Sequence, residues 1–98
     1  MTYKLDFTVP AWKEWEKLGS TVQLQFRKKL IERLETPRVP AHAMRKMKDC
    51  YKIKLRQSGY RLIYKVQDRK ITVMVFAIGR READEAYLEA ARRLDDLD

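Results

Sequence analysis

The chain has 98 residues, 45% hydrophobic and 37% charged, with 22 Lys and Arg against 14 Asp and Glu. That is room for one domain, 1–98, and enough apolar material for a core, which excludes a disordered chain. One cysteine, Cys50, excludes an internal disulfide and predicts a reducing, cytoplasmic location, and neither a membrane-length apolar run nor a signal-peptide pattern is present.

Residues 2–7 alternate as a strand, with Tyr3, Leu5 and Phe7 on one side. Pro10 suits the first turn of a helix whose apolar stripe is Trp12, Trp15 and Leu18, and Gly19 reads as its stop. Ser20 and Gln23 have the spacing of a capping box, which predicts a second helix. Val22, Phe26, Leu30 and Leu34 carry its apolar face, and Pro37 ends it. Residues 36–49, with two prolines and Arg45-Lys46-Met47-Lys48, read as a loop. From Cys50 the period changes to two: Tyr51, Ile53 and Leu55 face one way, and Lys52, Lys54 and Arg56 the other. Gln57-Ser58-Gly59 turns the chain into a returning strand, Tyr60 to Val66. Asp68-Arg69-Lys70 turns it again into Ile71 to Ile78, an apolar run that suits a central strand covered on both faces, with Gly79 ending it. A short helix is expected over Glu82 to Leu94. The order β-α-α-β-β-β-α predicts an α+β fold: an antiparallel four-stranded sheet, a helical hairpin on one face and a short C-terminal helix.

The net charge of +8 is unevenly spread. Residues 27–70 hold fifteen basic and four acidic side chains, whereas residues 82–98 hold seven acidic and two basic. So basic a block attracts a polyanion, because each neutralised phosphate releases counterions. The single histidine, His42, lies in the proline-bounded loop and reads as a surface residue, and it has no metal-ligand spacing to Cys50. Three glycines make no phosphate-binding loop. The histidine pair, or histidine and glutamate, of an ordinary ribonuclease is missing, and no cofactor or metal is expected.

What remains is a converging set of cations. Lys52 and Lys54 share one face of a strand, about 7 Å apart at ~3.3 Å per residue. Arg61 opens the neighbouring strand, Arg80 and Arg81 follow the central one, and Arg45 precedes them in the loop. Taken alone, such side chains do no more than solvate the outer face of a sheet, and Tyr87 on the last helix reads as packing.

The stretch Asp49-Cys50-Tyr51-Lys52-Ile53-Lys54-Leu55-Arg56, followed by Ser58-Gly59-Tyr60-Arg61-Leu62-Ile63-Tyr64, resembles the central motif of the RelE family of ribonuclease toxins. Leu5-Asp6-Phe7, Lys13-Glu14-Trp15, Lys17-Leu18-Gly19-Ser20-Thr21 and Gly79-Arg80-Arg81-Glu82 with Tyr87 match as well, and only the acidic ending from Arg93 departs. The resemblance implies a toxin that cleaves messenger RNA in the A site of the 70S ribosome, beside 16S rRNA, and so inhibits translation. The RNA's own 2′-hydroxyl attacks the adjacent phosphate, without metal. It also implies Lys52, Lys54, Arg61, Arg81 and Tyr87 as the catalytic set, and Arg45, Lys52, Lys54, Arg56, Arg61, Arg80 and Arg81 as RNA-binding residues. The implied partner is a RelB-type antitoxin, through which alone the toxin reaches operator DNA as a co-repressor.

The chemistry of that set has a weak point. A base must take the 2′ proton and an acid must protonate the 5′ oxygen. Tyr87 is the only candidate base, with an ordinary pKa of about 10 that neighbouring cations are expected to lower. Arg81 or Lys54 is the candidate acid, although arginine, with a pKa above ~12, donates reluctantly. Positioning must supply much of the rate, which is a reason to depend on the ribosome. Two other readings stay open: a gyrase-directed ParE-type toxin, and a non-catalytic RNA- or ribosome-binding module. The acidic C-terminal segment, with few large apolar residues, is expected to shift when the antitoxin binds.

Overall fold

A four-residue strand, β1 (Lys4–Phe7), leads into Thr8, whose hydroxyl caps α1 (Val9–Glu16) by accepting from the Ala11 amide at 3.3 Å. The computed structural model describes residues 2–82 and 84–97; Ala83, inside the helix expected from Glu82, lies outside the described residues, as do Met1 and Asp98. Ala11, Trp15 and Leu18 are buried, but Trp12 is 46% exposed and meets Phe7 edge-on, with ring centroids 5.3 Å apart.

The second helix, α2 (Ser20–Glu35), starts where expected and buries Phe26 and Leu30, with Val22 and Leu34 half-buried. Its capping box does not form. Gly19 takes the N-cap position and α1 closes at Lys17, so Gln23 falls one residue beyond the place from which a box is made. Its amide instead donates to the Trp15 carbonyl at 2.9 Å and ties the two helices together.

Three strands follow: β2 (Cys50–Lys54), β3 (Tyr60–Gln67) and β4 (Thr72–Arg80), each antiparallel to the next. Gly59 makes the first turn at φ +78°, a conformation that glycine adopts without steric cost. The sheet order is β1-β4-β3-β2, and β1 runs parallel to β4, from Lys4↔Thr72 to Phe7↔Val75. The sheet is therefore mixed, not wholly antiparallel as expected. The helical hairpin between β1 and β2 is a crossover that carries the chain back to its starting end, and a crossover joins strands of like direction.

The last strand begins at Thr72, because Ile71 closes the preceding turn in left-handed backbone at φ +49°. It also runs through Gly79 instead of ending there. Gly79 is needed for space: a Cβ on it would stand 2.7 Å from Glu85 Cβ and 2.8 Å from the Ala86 nitrogen. The final helix, α3 (Glu85–Arg93), begins three residues later than expected, after a turn in which the Asp84 amide donates to the Arg81 carbonyl at 3.1 Å.

Two apolar layers flank the sheet. Trp15, Phe26 and Leu30 from the hairpin meet Ile53, Leu62, Tyr64, Val73 and Val75 on one face. Ala86 and Ala90 from α3 meet Cys50, Ile63, Phe76 and Ala77 on the other. A bulge between Ile63 and Tyr64 sets two residues of β4, Phe76 and Ala77, toward α3 in succession. The central strand is thus covered on both faces. Tyr64 anchors the loop to the sheet, its hydroxyl donating to the Pro37 carbonyl at 2.6 Å and accepting from Arg33 at 2.8 Å. Among the described residues no helix is long and apolar enough to cross a membrane.

Candidate active site

Strand alternation sends Lys52 and Lys54 to the face that carries Cys50, the face covered by α3. Lys54 lies directly opposite Arg61, and Arg61 directly opposite Gly79. With no side chain at Gly79, α3 comes down close beside Arg61 and delivers Tyr87. The Arg61 guanidinium carbon is 4.6 Å from the Tyr87 ring centroid, and Lys52 Nζ is 5.8 Å from it. Arg61 also reaches Asp84 at 3.5 Å. A like-charged cross-strand pair such as Lys54 and Arg61 is unfavourable in a free protein, by about 0.2–1 kcal/mol.

The electrostatics redistribute the roles. The Tyr87 hydroxyl is buried and makes no well-formed hydrogen bond among the described residues, with Arg61 close enough for a weak one. Burial pushes its pKa up, outweighing the opposing charge of Arg61, and Asp84 pushes the same way. The expected lowering by neighbouring cations is therefore overturned, since desolvation disfavours the phenolate more than Arg61 favours it. Lys52 moves toward neutrality instead: burial, then Lys54, Arg61 and Arg45, all pull its ammonium below the ordinary lysine value.

Arg81 is exposed, with its backbone pinned by a 2.6 Å hydrogen bond from its amide to the Gly59 carbonyl. It lines a cavity of about 260 Å³ together with Lys54, Arg56, Tyr60 and Arg61. Arg45 is exposed in the loop, near enough for its charge to act on Lys52. Arg80 is not brought to this cluster. It stacks on Tyr60 at 5.2 Å, and Tyr60 packs with the core on the helical-hairpin side.

Some residues here were not singled out from the sequence. Lys28 and Lys29 of α2 line a groove of about 490 Å³ with Lys54 and Arg56. A smaller cavity, about 280 Å³, joins His42 to Lys29, Arg33, Lys52 and Lys54. His42 is half-buried, and burial followed by the charge of Arg33 lowers its pKa, so it adds a neutral imidazole to a cationic wall. The signal for Lys28 and Lys29 was the run Arg27-Lys28-Lys29, which helical periodicity alone assigns to solvent. Among the described residues no three His, Cys, Asp or Glu side chains gather as metal ligands.

Residues 5–85 match the family described as the ParE toxin of type II toxin–antitoxin systems, parDE. The chain is 57% identical over 94 residues to the mRNA interferase toxin RelE of Escherichia coli K12, covering 96% of this chain and 99% of that one. A mutant of E. coli RelE in the free state superposes with a TM-score of 0.89 at 57% identity, over 96% of this chain and 99% of that one. The toxin of the intact E. coli RelBE toxin–antitoxin complex gives a TM-score of 0.78 at 59% identity, over 80% and 95%. With identity at this level over nearly its whole length, the chain belongs to the RelE family of toxins within the ParE-type group.

Proposed function

We propose that this protein is the toxin of a type II toxin–antitoxin pair, a metal-independent endoribonuclease that cuts messenger RNA held in the ribosomal A site of the cytoplasm. The observation that carries the reading is the juxtaposition of Lys52 and Arg61 against the Tyr87 ring, with Lys54 directly across from Arg61. Three cations on one small face, repelling one another in the free protein, fit a site completed by a phosphate.

In this reading the RNA's 2′-hydroxyl is the nucleophile and the neighbouring phosphorus its target. Lys52, with its lowered pKa, takes the 2′ proton. Lys54, Arg61 and Arg81 hold the charge that grows on the pentavalent phosphate. Tyr87 stays a neutral phenol; its ring seats Arg61 and Lys52, and its hydroxyl, which at most accepts weakly from Arg61, is free to donate to a substrate oxygen. The 5′ oxygen leaves with a proton from Arg81 or Lys54, and the product ends in a 2′,3′-cyclic phosphate. Arg45 and Arg56, with Lys28 and Lys29, extend the grip on the backbone; Arg80, on the other face, is left out of it.

No group here is a strong acid–base catalyst near pH 7, so substrate geometry must supply much of the rate, worth about 7–11 kcal/mol where alignment is good. That is the reason for a ribosome-held substrate. Ribosomes programmed with a defined messenger are expected to show cleavage within the A-site codon, and the same RNA free in solution to be cut far more slowly. Equal rates on both substrates would overturn the ribosome dependence.

The E. coli relative is solved with its antitoxin RelB. A RelB-type antitoxin is accordingly the partner of this chain, and the pair represses its own operon. Antitoxin binding is expected to displace the α3 segment, whose fully buried side chains on the sheet are two alanines, with Tyr87, Leu94 and Leu97 only half-buried. Equal hydrogen-exchange protection of residues 84–94 with and without antitoxin would contradict that.

The name of the matched family keeps a gyrase-directed toxin as the second reading. It predicts that Lys52→Ala and Tyr87→Phe leave toxicity intact, whereas the ribonuclease reading predicts that both abolish it. Ribosome binding that survives Tyr87→Phe while cleavage is lost would set aside the non-catalytic module.

A further inference from the structure

β1 pairs with β4 only as far as Val75, so among the described residues the stretch of β4 beyond it has no strand on that side. Two side chains from opposite faces of the sheet take the missing strand's place. Glu14, on α1, accepts from the Ile78 amide at 3.1 Å through Oε1. Arg93, the last residue of α3, donates through Nη1 to the Phe76 carbonyl at 2.9 Å. The same two side chains grip each other bidentately, Nη1 to Oε1 at 2.9 Å and Nη2 to Oε2 at 3.1 Å. Their side chains are only 15% and 26% exposed, for Arg93 and Glu14. The result is a clasp that passes around the free edge of β4 and fastens the end of α3 to the helical hairpin. Paired charges in a fork geometry hold orientation more tightly than a single contact.

The apolar packing of that helix is light, with Tyr87 and Leu94 half-buried beside its small buried residues. Its buried residues are Ala86 and Ala90, which give small contact area, and Leu88 on its outer side is 65% exposed. Yet α3 sets the height at which Tyr87 meets Arg61 and Lys52. We propose that Glu14 and Arg93 are positioning residues for RNA cleavage, holding α3 so that Tyr87 lies against Arg61 and Lys52. The proposal rests on the reading of Tyr87 as part of the active cluster and goes beyond it: two residues remote from the cations set the activity through the helix.

The test is single-turnover cleavage of A-site messenger on programmed ribosomes, with ribosome affinity measured separately. Arg93→Gln is expected to lower the cleavage rate by about a hundredfold, the cost of about a 1 Å misplacement, with ribosome affinity unchanged. Arg93→Lys keeps the charge and a nitrogen able to bridge Glu14 and the Phe76 carbonyl, but loses the Nη2–Oε2 arm of the fork, so it is expected to fall between the parent and Arg93→Gln. In a Tyr87→Phe background, Arg93→Gln is expected to cost little further, because it acts through that residue. A full-rate Arg93→Gln, or an Arg93→Gln loss that appears equally in the Tyr87→Phe background, overturns the proposal. A Tyr87→Phe variant as fast as the parent overturns instead the reading of the site beneath it.

Discussion

Arg61 of β3 stacks its guanidinium on the ring of Tyr87 of α3, 4.6 Å from the centroid, while the hydroxyl of that ring is buried with no well-formed hydrogen bond among the described residues. The ring is satisfied, whereas the hydroxyl has at most a weak bond from Arg61. A polar group buried unpaired costs stability in the free protein and becomes useful only when a ligand supplies the partner.

Tyr87→Phe should therefore separate activity from stability. The ring and its stacking on Arg61 remain, so the melting temperature is expected to stay the same or rise. Cleavage on programmed ribosomes is expected to fall by about 10²–10⁴-fold, the usual worth of a positioned proton-transfer or hydrogen-bonding group. A variant that melts lower and cuts normally would refute both halves.

The pH dependence should follow Lys52. Its pKa is depressed by burial and then by Lys54, Arg61 and Arg45, so its neutral, base-competent form grows as pH rises. The cleavage rate is expected to climb with pH on the acid side and level off above that pKa. Lys54→Met removes the largest of the repelling charges, which raises the pKa of Lys52 and moves the acid limb of the residual activity to higher pH. Arg45→Ala should move it the same way by less. Single-turnover rates across a pH series check this, and a limb displaced to lower pH would exclude Lys52 as the base.

Tyr64→Phe tests the anchoring of the loop. The hydroxyl donates to the Pro37 carbonyl and accepts from Arg33; its loss leaves the buried Pro37 carbonyl unpaired, while Arg33 keeps its bond to the Lys52 carbonyl. The expected cost is about 1–3 kcal/mol. At about 4–8 °C per kcal/mol for a domain of this size, thermal unfolding resolves it readily. Cleavage per folded molecule is expected to persist, since Arg33 stays held by the Lys52 carbonyl and the side chains of Lys52, Lys54, Arg61 and Tyr87 make no contact with this hydroxyl.

Cys50 should be inert while the protein is folded. Its side chain is 1% exposed, and burial pushes its thiol up to about 11, so almost no thiolate exists at neutral pH. Alkylation followed by mass spectrometry is expected to be slow under native conditions and fast in denaturant. Rapid native labelling would mean that α3 lifts from the sheet often.

The periodicity of the chain by itself determined which residues share a face. Alternation from Cys50 put Lys52 and Lys54 together, the fourfold spacing from Val22 gave the buried stripe of α2, and the basic block announced a polyanion. The match of motifs to a toxin family was legible in the residues for the same reason, being local and ordered along the chain. Tertiary structure decided what those faces meet. Direction of β1 came from the crossover, not from its residues, and the capping box failed because Gly19 shifted the helix start by one. The bulge at Phe76 and Ala77 had the largest consequence. One extra residue inverts the alternation beyond it, so Gly79 faces α3 and Arg80 faces Tyr60. Without that inversion an arginine would stand where α3 needs a bare backbone. The approach of Tyr87 to Arg61 thus depends on a local slip in register, and a side-chain period of two shows no trace of it until the strands are paired.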